Sequence, residues 1–128
     1  MINQPNIGLA GCRILVVEDE YLIADDLCQG LTDKGVTIVG PVGTLQDAQD
    51  MARAQEIQAA VVDINLRGEA SYPLLDMLIE RGIPVLLVTG YDVADVPADY
   101  RTLAMLQKPV GKASVAKACA ALPMRAMH

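Results

Sequence analysis

Aromatic side chains are scarce in this chain of 128 residues, which has four tyrosines and neither phenylalanine nor tryptophan. Its core must therefore be built from aliphatic residues, methionine and alanine. The chain also has no run of lysine and arginine, and its net charge is −6. Nucleic-acid-binding proteins usually carry a basic patch, which this sequence lacks. No apolar run approaches the ~18 residues that a membrane span requires. We therefore expect neither nucleic acid nor a membrane as a partner.

Cysteine is also sparse, since the chain contains only Cys12, Cys28 and Cys119. An odd and scattered set is typical neither of a disulfide framework nor of a zinc site. Reduced thiols agree with a cytoplasmic protein, which is the location we expect. The remaining composition, 52% hydrophobic and 20% charged, is that of a globular protein, and the length suits one domain.

Short apolar runs alternate with amphipathic segments along the chain. The runs predict five strands, at residues 13–17, 36–40, 59–63, 84–88 and 103–107. Between these runs, apolar residues recur at helical spacing. Strands that are apolar throughout and separated by helices indicate an α/β fold, a doubly wound parallel sheet covered on both faces.

Three positions refine the predicted helices. Thr44, with Asp47 three residues later, is typical of a helix start, and Ser71 offers a second cap. The fourth helix should be short or mobile, because Pro97 interrupts residues 92–102 and proline breaks a helix interior. That segment also has few apolar anchors by its sequence.

Polar residues stand at the carboxyl ends of four of the predicted strands. They are Glu18, Asp19 and Glu20 after the first strand, Asp63 in the third, Thr89 and Gly90 after the fourth, and Lys108 after the fifth. The carboxyl ends of parallel strands meet at one edge of the sheet, where such folds place their sites. Adjacent carboxylates repel unless a cation joins them, and oxygen ligands suit Mg²⁺. With a lysine and a hydroxyl, these groups are the parts of a phosphoryl-transfer site in which an aspartate can be the nucleophile.

Four segments resemble the signature blocks of the response-regulator receiver domain of two-component signalling. They are RILVVEDE at residues 13–20, VVDINLRG at 61–68, LLVTGY at 86–91 and QKP at 107–109. The blocks follow the family's order, and each lies at a predicted strand end. The resemblance covers about residues 13–122. It implies a flavodoxin-like fold with a five-stranded sheet of order 2-1-3-4-5, and a single receiver domain over residues 1–128 with no output domain.

The resemblance implies a role for each matching position. Asp63 would accept the phosphoryl group. Thr89 and Gly90 would bind that group and sense it, and Lys108 would pair with it. The bond between Lys108 and Pro109 would be cis. The ligands of Mg²⁺ would be Glu18, Asp19, Asp63 and the backbone carbonyl of Asn65.

Two positions link the chain to a subset of receivers, mostly alphaproteobacterial, named for a Phe-Ala-Thr-Gly-Tyr motif. Residues 87–91 read LVTGY and match three of its five positions, including Tyr91. Receivers usually carry an aromatic switch residue three positions before the lysine, and the subset lacks it. Here that position is Met105. Tyr91 and Met105 are therefore the candidate signalling residues.

The resemblance implies a stand-alone response regulator and not an enzyme. It would take a phosphoryl group from a histidine kinase or a histidine phosphotransfer protein, with Mg²⁺ as cofactor. It would then signal to a downstream protein target or act as a phosphate sink. Two alternatives stay open. One is a pseudo-receiver that binds its partner without phosphorylation. The other is an aspartate-nucleophile phosphatase, whose usual second aspartate is replaced here by Asn65.

Overall fold

Five parallel strands form the central sheet of the structure, a computed structural model that describes residues 8–124. These strands are β1 (Arg13–Val17), β2 (Thr37–Val42), β3 (Ala59–Val62), β6 (Val85–Thr89) and β7 (Ala104–Gln107). A small antiparallel hairpin of β4 (Asn65–Leu66) and β5 (Glu69–Ala70) follows β3. The sheet order is β2-β1-β3-β6-β7, which is the predicted order 2-1-3-4-5 when the hairpin is left out of the count. The predicted doubly wound sheet is confirmed.

Helices cover both faces of this sheet. One face carries α1 (Tyr21–Thr32) and α4 (Lys112–Ala120), and the other carries α2 (Leu45–Ala54) and α3 (Tyr72–Glu80). Successive strand residues point to opposite faces, so β3 contributes Ala60 and Val62 to one apolar cluster and Ala59 and Val61 to the other. This two-sided burial is the reason that the strands read as unbroken apolar runs.

The α1–α4 contact depends on Gly30. A Cβ added at Gly30 would lie only 2.5 Å from the backbone carbonyl oxygen of Lys112, the first residue of α4. The side-chain amino group of Lys112 also lies 2.6 Å from Oε1 of Gln29. This close approach fixes the start of α4, four residues after the candidate site lysine.

The predicted fourth helix is two short 3₁₀ helices, Val93–Asp95 and Ala98–Tyr100, with Pro97 between them. The expectation of few apolar anchors was wrong, however. Val96 is fully buried and Tyr100 is 9% exposed, because these residues, four apart, both turn inward. The guanidinium of Arg101 donates a 2.7 Å hydrogen bond to the carbonyl of Val96. The segment is irregular, yet it is tied to the core.

Within residues 8–124, no helix has the length and apolar character needed to cross a membrane. The three cysteines are free thiols, as their spacing predicted. Burial raises the pKa of Cys119 to about 12, so this thiol is not a reactive one.

Candidate functional site

The polar residues that follow the strands meet in one cleft at the carboxyl edge of the sheet. Its volume is about 250 Å³. It is lined by Asp19, Glu20, Asp63, Asn65, Arg67, Thr89, Gly90, Tyr91 and Lys108. Glu18 lies beneath it, within ion-pair distance of Lys108. A larger groove of about 510 Å³, beside α4, contains none of these residues.

Lys108 is the centre of the charge network. Its Nζ lies 2.8 Å from Oδ2 of Asp63, 2.9 Å from Oε1 of Glu18 and 3.7 Å from Oε1 of Glu20. Burial alone would lower the pKa of Lys108, but the hydrogen bonds to Asp63 and Glu18 outweigh it, so the pKa is raised. The ammonium therefore stays charged. The peptide bond between Lys108 and Pro109 is cis.

Glu18 is the least compensated acid of the network. Its side chain is fully buried, and this burial raises the pKa of Glu18 to about 7. Lys108 lowers the value and the negative charge of Asp63 raises it further. Oε2 accepts a 3.2 Å hydrogen bond from the backbone N–H of Glu20, whereas buried Oε1 has the ammonium nearby but accepts no aligned hydrogen bond. A further cation would satisfy this oxygen.

The acidic cluster fits a divalent cation. Carboxylate oxygens of Glu18, Asp19 and Asp63 all lie within 4.8 Å of one another. Mg²⁺ prefers hard oxygen ligands and is commonly bound through one or two carboxylates plus water and phosphate oxygens. The donor set and the under-compensated oxygen of Glu18 both fit such an ion.

Asp63 is held at the base of the cleft by hydrogen bonds to β1 and to the loop that follows β3. Its Oδ1 accepts a 3.2 Å hydrogen bond from the backbone N–H of Asn65, and its own N–H donates to Val17 at 2.9 Å. The hydroxyl of Ser71, fully buried, donates a 2.8 Å hydrogen bond to the Asp63 carbonyl. Ser71 was expected to cap α3, but its side chain makes no capping hydrogen bond. It fixes the candidate phosphorylation residue instead.

The hairpin places an arginine in the cleft that the sequence did not single out. Arg67 and Gly68 form the two-residue turn between β4 and β5, with φ of 55° and 85°. A positive φ at a residue other than glycine costs about 1–2 kcal/mol. The amide oxygen of Asn65 stabilises the turn by accepting a 2.7 Å hydrogen bond from Gly68. The pair Arg67-Gly68 is a weak sequence signal for a two-residue turn, because Asn-Gly is the usual pair in such turns.

Thr89 lies at the end of β6 and is almost fully buried. Its hydroxyl oxygen accepts a 3.0 Å hydrogen bond from the backbone N–H of Tyr91, so the hydroxyl proton is left for another acceptor. Its carbonyl accepts from the N–H of Lys108 at 2.7 Å, which ties β6 to β7 at the site. Gly90 lines the cleft, and the Tyr91 side chain is 39% exposed at its rim.

A stack of two tyrosines, which the sequence did not indicate, joins α3 to the second 3₁₀ helix. The rings of Tyr72 and Tyr100 lie parallel with centroids 5.0 Å apart. The phenol of Tyr100 donates a 2.6 Å hydrogen bond to Asp76, which is the main cause that raises the pKa of Tyr100 to about 12. Burial, and then proximity to Tyr91, raises the pKa of Tyr72. Met105 is partly buried against the same apolar cluster.

Known proteins resemble this chain in sequence and in fold. A sequence model of the response regulator receiver domain matches residues 14–120. The solution structure of SdrG from Sphingomonas melonis Fr1 is 40% identical, with a TM-score of 0.76 over 88% of this chain and 95% of that one. A BeF₃-activated conformation of SdrG matches at 39% identity, with a TM-score of 0.73 over 87% of this chain and 95% of that one.

Two longer proteins also match. The response regulator PhyR from Brucella abortus is 23% identical, with a TM-score of 0.76 over 90% of this chain and 48% of that one, and shows the fold alone. The transcriptional regulatory protein PdtaR of Mycobacterium tuberculosis is 29% identical over 101 residues, 76% of this chain and 49% of PdtaR. The chain thus spans about half the length of this curated relative. The family match to residues 14–120 and the likeness to SdrG establish that the chain belongs to the response regulator receiver domain family.

Proposed function

We propose that the protein accepts a phosphoryl group on Asp63 from a histidine kinase or a histidine phosphotransfer protein. The observation that carries the proposal is the setting of the Asp63 carboxylate. One of its oxygens is paired with Lys108 at 2.8 Å and the other with the Asn65 N–H at 3.2 Å, at the base of an open cleft. A buried carboxylate held in this way is oriented for attack on an incoming phosphorus atom.

In the transfer, a carboxylate oxygen of Asp63 forms a bond to phosphorus while the bond from phosphorus to the donor's imidazole nitrogen breaks. The electron pair of that bond remains on the nitrogen, which takes up a proton. Glu18, Asp19, Asp63 and the backbone carbonyl of Asn65 would hold Mg²⁺. Once bound, the ion would offset the negative charge that develops on the phosphoryl oxygens.

The cationic and hydroxyl groups of the cleft would bind the new phosphoryl group. Lys108 already lies against Asp63 and would move its contact to a phosphoryl oxygen. The Thr89 hydroxyl retains a proton to donate, and the Gly90 backbone lies beside it. A Thr89 hydroxyl that turned toward the phosphoryl group would lose its bond to Tyr91 and move the rim. Binding of the group would thereby change the surface that a partner contacts.

We further propose that the protein signals through protein–protein contacts or drains phosphoryl groups from a partner, in the cytoplasm. It would belong to the Phe-Ala-Thr-Gly-Tyr subset, which the LVTGY sequence and the similarity to SdrG support. The pseudo-receiver alternative has less support, because acids, lysine and hydroxyl all converge on the cleft. The phosphatase alternative lacks a general acid, since the Asn65 side chain is an amide engaged with Gly68.

Labelling with a small phosphodonor tests the proposal. Incubation with acetyl phosphate and Mg²⁺ should add the mass of one phosphoryl group, measured on the intact protein. Asp63→Asn and chelation of Mg²⁺ with EDTA should each abolish this addition. Asp19→Asn should weaken labelling without removing its acceptor. Labelling that persists in Asp63→Asn would show a different acceptor and refute the assignment.

A further inference from the structure

The tip of the β4–β5 hairpin combines an unfavourable backbone with a charged side chain. Arg67 has a φ of 55°, and among residues 8–124 it is the one residue other than glycine with positive φ. Asparagine at this place would suit the turn better, because Asn-Gly is the preferred pair where both turn residues have positive φ. Strained positions of this kind concentrate at functional sites. The chain thus carries an arginine where turn chemistry favours another residue.

The side chain of Arg67 has no hydrogen-bond or ion-pair partner among residues 8–124. Within residues 8–124 the other four arginines each make hydrogen bonds: Arg13 with Gln55, Arg53 with Asp50, Arg81 with Ala52, and Arg101 with Val96. Arg67 makes no hydrogen bond or ion pair with the described residues, although it is exposed and lines the same cleft as Asp63 and Lys108. An unpaired guanidinium beside the proposed phosphoryl acceptor is available for an anionic ligand.

The charges of the cleft leave room for a second cation. The carboxylates of Glu18, Glu20 and Asp63 all lie within 4.0 Å of one ammonium, that of Lys108, and Asp19 adds a further acid. A phosphoryl group brings about −1.5 to −2 charges to the same place. An excess of negative charge would remain even with a divalent cation bound. A guanidinium at the rim would reduce this excess and attract an anionic donor.

We propose that Arg67 is a second cation of the phosphoryl site. Its guanidinium binds the non-bridging oxygens of an incoming phosphodonor and then those of phosphorylated Asp63. The inference rests on the proposed function, because it requires a phosphoryl group on Asp63. Lys108 holds the group from the base of the cleft, and Arg67 holds it from the hairpin. The planar fork of arginine suits two phosphoryl oxygens at once.

Arg67→Asn separates charge from turn shape. The variant removes the cation and installs the preferred Asn-Gly turn, so the hairpin and the fold should be retained. Arg53→Asn is the matched control, because it removes an exposed arginine from α2, outside the cleft, and changes the net charge equally. Arg67→Lys keeps the charge without the fork.

Two readouts suit these variants. The first is the initial rate of phosphorylation by acetyl phosphate with Mg²⁺, in which a bond forms between Asp63 and phosphorus and acetate leaves. The second is the dissociation constant for beryllofluoride with Mg²⁺, measured by NMR titration. We expect Arg67→Asn to lower the rate and weaken beryllofluoride binding by about three- to tenfold, a loss expected for one exposed charge-assisted contact. Arg67→Lys should recover part of the loss, and Arg53→Asn should match the wild type.

Each other outcome is decisive. Wild-type rate and affinity in Arg67→Asn would overturn the inference, and so would an equal loss in Arg53→Asn, which would indicate only net charge. An Arg67→Lys variant as impaired as Arg67→Asn would refute the need for a cation. A wild-type protein that acetyl phosphate fails to label would instead refute the proposed function, and the inference with it.

Discussion

Glu18→Gln should stabilise the protein in the absence of metal at pH 8 and weaken its response to Mg²⁺. The Glu18 side chain is fully buried, and burial raises its pKa from the ordinary 4.5 to about 7. This difference corresponds to a cost of about 3 kcal/mol for ionising Glu18 in the folded protein. Glutamine removes the charge, but its single acceptor oxygen can serve either the Glu20 N–H or the Lys108 ammonium and not both. A net gain of about 1–2 kcal/mol in the free energy of unfolding remains.

The sign of the pH dependence follows from proton binding. Between pH 4.5 and about 7 the folded protein holds the proton of Glu18 more tightly than the unfolded chain does. The contribution of Glu18 to the free energy of unfolding should therefore fall as pH rises through this window, and stay low above it. Glu18→Gln should lack this fall. Mg²⁺ should restore stability to the wild type at pH 8 and less so at pH 5, where Glu18 is protonated.

Urea unfolding followed by circular dichroism measures these effects, since the chain has no tryptophan. The quantity to compare is the difference between wild type and Glu18→Gln at pH 5 and at pH 8, because the other titrating groups then largely cancel. Glu56→Gln, at an exposed position, is the matched control for the loss of one carboxylate. If the Glu18→Gln difference is the same at both pH values without metal, Glu18 does not titrate in this range and the reasoning fails.

Three further substitutions test the packing around the site. Gly30→Ala should destabilise the fold by about 1–3 kcal/mol in urea unfolding, because the added Cβ would lie 2.5 Å from the Lys112 carbonyl oxygen. This clash outweighs the better helix propensity of alanine. A stabilised variant would contradict the close packing. Tyr100→Phe should lower the free energy of unfolding by about 1 kcal/mol in the same assay, because it removes the 2.6 Å hydrogen bond to exposed Asp76. An unchanged urea midpoint would show that this hydrogen bond contributes nothing to stability. Met105→Ala should leave the beryllofluoride-induced NMR shifts of residues 92–102 in place, and their loss would assign the switch to β7.

The sheet and the place of the site could be predicted from the sequence for one physical reason. Parallel strands buried on both faces have a strong apolar signal, and their carboxyl ends must meet at one edge. Once the strands are identified, the polar residues at their carboxyl ends are therefore expected to converge. These residues are the acids after β1, Asp63 after β3, Thr89 at the end of β6 and Lys108 after β7. The helix start at Thr44 was confirmed as well, because a capping bond is local in sequence.

The missed features depend on contacts that sequence spacing does not encode. Ser71 bonds to a carbonyl eight residues back because a hairpin folds the chain there, and its cap-like context suggested a different role. The stack of Tyr72 on Tyr100 joins positions far apart in the chain. Burial of Val96 likewise depends on the packing of two irregular turns against the core. Polar and aromatic residues in loops thus acquire their roles from tertiary packing.

The stacked tyrosines pack in the same apolar cluster as position 105, where receivers usually carry an aromatic switch residue. No ring is present at Met105, yet the apolar cluster that Met105 contacts contains the stacked rings of Tyr72 and Tyr100. Tyr91 lies close enough to raise the pKa of Tyr72, and the Tyr91 N–H is bonded to the Thr89 hydroxyl. The ring pair itself joins α3 to the second 3₁₀ helix, because Tyr72 begins α3 and Tyr100 ends that 3₁₀ helix. The aromatic side chains of this face therefore lie in the elements beside β7 and not on β7 itself, where Met105 packs against the same cluster.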